Sequence, residues 1–143
     1  MIYDLSREER HHRAIANEKP APSLKAQRCA CGKAAPAKQL AQHQHCVACL
    51  FAARAAAIPA DDLDVLHHML GATLHHPQSR WGFRNEYLAN RRDLAALDRL
   101  ATAGFVRAGA ALLDLRYFHA TQDGCKLAGL NSAAMNRAMG AKP

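Results

Sequence analysis

The chain predicts a mainly α-helical fold with one small β-hairpin: a short cysteine-rich N-terminal segment followed by a compact helical domain. Three observations lead there. Four of the five cysteines fall in two close pairs, Cys29-Ala30-Cys31 and Cys46-Val47-Ala48-Cys49, within a polar stretch that has little core of its own. After Pro59, large apolar residues recur at helical spacing, as in Leu63, Leu66 and Leu70 and again in Leu94, Leu97 and Leu100. Strand-forming residues gather late, at Phe105-Val106-Arg107 and between Leu112 and His119. A length of 143 residues allows one domain of ordinary size or two small ones. The expected divisions are a basic helix and linker over 1–27, a metal-binding segment over 28–58, a main domain over 59–131 and a flexible tail over 132–143.

Ser6-Arg7-Glu8-Glu9 matches a capping box, so a short basic helix is expected from there to Asn17, stopped by Pro20 and Pro22. The cysteines come next. Structural zinc takes four sulfur or nitrogen ligands, usually in pairs separated by about two to four residues. Cys46 and Cys49 fit that rule and open an alanine-rich run, Leu50 to Ala57, that favours helix. A helix start also favours thiolate through the positive end of its dipole. Cys29 and Cys31 are closer together than usual, and Gly32 directly after them can turn the chain in a left-handed conformation. The expected zinc ligands are therefore Cys29, Cys31, Cys46 and Cys49, with His43 or His45 as an alternative to one thiol. Four protein ligands leave no open position for water, so the expected role is structural. Cys125, near Leu127 and Leu130, is expected to fill core.

Ile58-Pro59-Ala60 marks a boundary. Asp61 or Asp62 can cap a helix that carries Leu63, Leu66 and Leu70 and ends at Gly71. A polar loop, 73–79, precedes a short helix expected over Trp81 to Leu88. That helix would put Phe83 and Tyr87 on one buried face, although Trp81, Phe83 and Tyr87 around Arg84 also suit base stacking. Asn90 caps the clearest helix, Arg91 to Ala103, with Leu94, Leu97, Leu100 and Ala101 inward and Gly104 as its stop. Strands over 105–107 and 112–119 would be joined by a turn at 108–111. Thr121 caps a last helix to Leu130, with Asp123 in its first turn.

Charge and export signals narrow the setting. The formal charge is +7, and residues 1–58 hold nine Lys/Arg against four Asp/Glu, so the basic excess lies in the N-terminal part. Such a surface suits a polyanion or an acidic protein face. The first nine residues are too charged for a secretory signal, and no run nears the roughly twenty apolar residues of a membrane span. A reducing cytoplasm is the expected location, with no membrane partner and no small-molecule substrate implied. The fifth cysteine also argues against a disulfide framework.

Two resemblances add to this reading. The order of first cysteine pair, irregular hairpin, second pair and helix resembles a treble-clef zinc finger. From residue 61 the order helix, helix, helix, strand, strand, helix matches a winged helix. Leu97-Asp98-Arg99-Leu100-Ala101-Thr102-Ala103-Gly104-Phe105-Val106 and Arg116-Tyr117-Phe118-His119-Ala120-Thr121-Gln122-Asp123-Gly124 are similar to the wing region of the MarR and PadR regulator families. The whole chain also resembles small proteins carried by phages and prophages.

The winged-helix resemblance implies a non-enzymatic, regulatory DNA-binding protein in which the helix before the wing enters the major groove. Arg91, Arg92, Arg99, Arg107 and Arg116 would then meet DNA. That helix would present Arg92, Ala96, Arg99 and Ala103 outward, flanked by Asp93 and Asp98, a poor surface for reading bases. The alternative is a protein-binding adaptor, or an inhibitor of a host protein, on the same scaffold. The histidine pairs His11-His12, His67-His68 and His75-His76 suit surface or packing roles better than a second metal site. No nucleophile elbow, phosphate loop or zinc-protease motif is present, and a helix N-terminus accounts for the acids at Asp61, Asp62 and Asp64.

Overall fold

The computed structural model describes residues 27–140. The basic helix expected over Ser6 to Asn17 lies outside the described residues. Two compact units are described in turn, residues 27–46 and residues 47–140.

In the first unit, strands β1 (Gln27–Arg28) and β2 (Ala34–Ala35) form an antiparallel hairpin. Its turn carries the first cysteine pair. The Cys29 N–H donates to the Lys33 carbonyl at 2.9 Å, and the Gly32 N–H to the Cys29 carbonyl at 2.8 Å. Gly32 sits at φ +84°, a value that side chains resist. A short helix that the sequence reading did not anticipate, α1 (Ala37–His43), follows Pro36. It closes at Gln44, φ +59°, whose N–H reaches the Leu40 carbonyl.

The second unit comprises α2 (Val47–Ala56), α3 (Ala60–Leu70), a 3-10 turn at Gln78–Arg80, β3 (Tyr87–Ala89), α4 (Leu94–Thr102), β4 (Val106–Leu112), β5 (Leu115–Ala120), α5 (Gln122–Leu127) and α6 (Ser132–Ala138). The three strands form one antiparallel sheet in the order β3-β5-β4. Helices thus alternate with a small sheet, and Leu66, Met69, Leu70, Leu97, Leu100 and Phe105 are wholly buried in the core. Each such side chain contributes about 1.5–3 kcal/mol relative to exposure. Cys125 is part of that core as expected, and burial pushes its thiol up to about 11. Among the described residues, no helix is long and apolar enough to cross a membrane.

Several expectations fail, mostly because of contacts remote in sequence. Residues 81–88 do not form a helix. Gly82 adopts φ +78° and donates its N–H to the Leu70 carbonyl, while the Ala134 carbonyl oxygen would lie 2.1 Å from any Cβ there. Asn85 then ties the chain to the end of β5. Its amide donates to the Ala120 carbonyl at 3.0 Å and its oxygen accepts from the Ala120 N–H at 2.6 Å. Tyr87–Ala89 is therefore drawn alongside Phe118–Arg116 as a strand. Phe83 is 49% exposed rather than core, whereas Trp81 and Tyr87 do pack against the core.

The hairpin turn lies at Leu113–Asp114, not at 108–111. The Ala-Gly-Ala-Ala stretch belongs to β4 and holds a bulge between Ala108 and Ala111. Gly109 makes room there for the His119 ring, which would lie 2.7 Å from a Cβ at that position and would have to shift.

Helix α4 begins three residues later than expected. Asn90 accepts from the Arg92 and Asp93 N–H groups, so Arg91 to Asp93 form its capping turn. The inward face becomes Ala96, Leu97 and Leu100; Leu94 is 37% exposed and Ala96 is buried.

The last helix stops at Leu127, and the chain turns at Gly129, φ +77°. Residues 132–138, expected as tail, are helical. Asn131 caps α6 by accepting the Ala134 N–H at 2.9 Å, Ala134 is buried in the core, and Arg137 donates to the Trp81 carbonyl.

Candidate metal centre

The β1–β2 turn presents Cys29 and Cys31, while Cys46 directly precedes α2 and Cys49 lies in its first turn. The four sulfurs all lie within 4.8 Å of one another. Cys31 Sγ and Cys46 Sγ are 3.6 Å apart. A disulfide requires about 2.05 Å. Ligands at about 2.3 Å around a tetrahedral ion lie roughly 3.8 Å apart, the scale observed here. None of the five cysteines is in a disulfide. The group is compatible with a metal ion.

Local backbone prepares one thiol for ligation. The Cys31 and Cys46 N–H groups donate to Cys29 sulfur and, against the opposing effect of burial, lower its pKa to about 6. The side chains of Cys31 and His45 add to the effect. Thiolate is the ligating form. Cys29 and Cys46 are buried, Cys49 is half-buried and Cys31 faces solvent. His45 therefore supports Cys29 from outside the sulfur group, and among the described residues neither His43 nor His45 belongs to the donor cluster.

The five arginines singled out from sequence do not form one patch. Arg91 and Arg92 are exposed in the turn before α4. Arg116 lies across from Ala89, the last residue of β3, so these three gather at one end of the sheet. Arg107 lies across from His119. Because β5 alternates, Arg107 shares a face with His119 and Tyr117, whereas Arg116 shares the opposite face with Phe118. Arg99 is engaged elsewhere. Its Nε and Nη2 donate to the two carboxylate oxygens of Asp62, each at 2.7 Å, and Asp62 is 1% exposed.

That ion pair was missed in the sequence because Asp62 also suits a helix N-terminus, and no spacing rule joins positions 62 and 99. A similar long-range role falls to Arg54, which donates to Asp123 at 2.6 Å and to the Ala103 carbonyl at 2.9 Å, over the rings of Phe51 and Phe105. His67, His68 and His75 line a cavity of about 530 Å³ with Asp64 and Trp81. Among the described residues, no group of three histidine or acidic donors comes within metal-binding distance there. No protein-family model, curated protein or solved structure matches this chain.

Proposed function

We propose that this is a non-enzymatic, zinc-containing DNA-binding protein of the regulatory kind, whose second unit acts as a winged-helix-like scaffold. The four-sulfur cluster is the observation that carries the reading. A compact S4 donor set suits zinc, and its lack of an open position suits structure rather than catalysis. The β4–β5 hairpin directly after α4 supplies what a wing needs. Exposed Arg91, Arg92 and Arg116 at one end of the sheet supply phosphate contacts. With Arg99 held by Asp62, those contacts position the protein on a duplex more than they read its bases.

Two measurements test this. Elemental analysis of purified protein is expected to give about one zinc per chain, and metal-free protein that keeps the same fold would remove zinc from the account. Titration against random duplex DNA is expected to show roughly micromolar affinity at about 50 mM salt that weakens steeply by about 200 mM. Absence of binding at the lower salt rejects the DNA reading. It leaves the second reading, a protein-binding adaptor, which is favoured by the small base-reading capacity of α4: Ala96 is buried, Arg99 is paired, and Asp93 and Asp98 flank the helix.

A further inference from the structure

The register of the three-stranded sheet assigns every residue to a face. Phe118 and Ala120, with Tyr87 across from Phe118, point to the core. Leu115, Tyr117 and His119 point the other way. Leu88 lies across from Tyr117, and Leu112 across from Leu115. The solvated face of an antiparallel sheet ordinarily alternates to polar residues. Here its middle is Leu88, Leu112 and Leu115, exposed by 36%, 47% and 38%, beside half-buried Tyr117. Leu113 extends it at the hairpin tip, 95% exposed. Contiguous apolar surface of this kind marks a contact site.

Charge indicates the occupant. Asp114 stands at the tip end of the apolar strip, and Arg107, across from His119, stands at the base end. Glu86 is also exposed near the base, just before β3. A two-fold axis through the strip would set the tip of one copy against the base of the other, so that each Asp114 meets an Arg107. The same patch then serves both sides and the contact closes at two copies. We propose that this sheet face pairs with the same face of a second copy, forming an antiparallel, two-fold dimer. A patch of about five apolar residues is smaller than the roughly 800 Å² per partner of a standard interface, so exchange with monomer at micromolar concentration is expected.

Analytical ultracentrifugation of the full, metal-loaded chain from about 2 to 200 µM tests the proposal. The weight-average mass is expected to rise toward twice that of the chain, and Leu115→Glu is expected to hold it at monomer. Leu113→Glu, at a side chain that contributes nothing to the core, gives the same test should Leu115→Glu fail to fold. Asp114→Arg alone and Arg107→Asp alone are each expected to weaken association about tenfold, and the two together to restore it. A monomer at every concentration overturns the proposal. So does a dimer indifferent to Leu113→Glu, or a charge-reversal pair that fails to recover.

Discussion

At the scale of single residues, a few polar side chains tie the fold together, two of them through partners far away in sequence. Asp62 is a buried carboxylate whose two oxygens are both taken by Arg99. Removing the arginine leaves that charge unmatched, so Arg99→Met is expected to lower the melting temperature clearly more than Arg107→Met, a comparison readable by thermal denaturation. Tyr87 donates its hydroxyl to Asp93, and burial followed by that carboxylate raises its pKa to about 12. Tyr87→Phe is expected to cost about 1 kcal/mol in a urea titration, with little change in fold. Asp123 carries a pH signature. The Arg54 guanidinium holds its pKa below the usual carboxylate value. The resulting stabilisation is complete above the unfolded value near 3.9 and is lost as pH falls through the lowered folded value. Arg54→Gln is expected to lower stability at neutral pH and to flatten the acid limb of a melting-temperature profile taken between about pH 2 and 7.

At the scale of elements, what could be read from sequence was whatever depends on neighbours along the chain. Thr121 caps α5 by accepting the Gly124 N–H, and Gly71 closes α3 in the left-handed conformation, both as their residue types predict. Strand β3 was not legible, because three residues between Glu86 and Asn90 become a strand only when β5 offers its edge. The turn at Leu113 was equally hidden. Leucine at φ +54° contradicts its own preference, and the Val106–Ala120 pairing, shifted by the bulge between Ala108 and Ala111, sets the register that puts it there. Helix α6 looked like tail because its residues are small, yet Ala134 is buried and its backbone carbonyl abuts Gly82, where no Cβ stands in the way. Gly82→Ala would drive a Cβ into the Ala134 carbonyl and strain a positive φ. A loss of about 2–4 kcal/mol is expected from denaturant unfolding.

For the whole molecule, the four-cysteine cluster was the most legible feature and the arginine surface the least. Cysteine spacing is a local code, and the four sulfurs do come together. Arginines can be counted in a sequence, but their destinations depend on register and on remote carboxylates. For that reason Arg99, Arg107 and Arg116 part company in the fold. Under the zinc reading, a strong chelator is expected to abolish the ordered turn around Cys29–Gly32, seen as lost amide-exchange protection there, while the Leu66–Phe105 core keeps its protection. Under the DNA reading, Arg91→Ala, Arg92→Ala and Arg116→Ala are each expected to reduce the salt slope of duplex binding by about one. The docking of α6 has a practical bearing. Trimming the polypeptide after Leu130 to obtain a tidier fragment would strip away the Asn131 cap, the carbonyl that Gly82 abuts and the guanidinium that holds Trp81. The shortened product should come out of expression hosts poorly soluble.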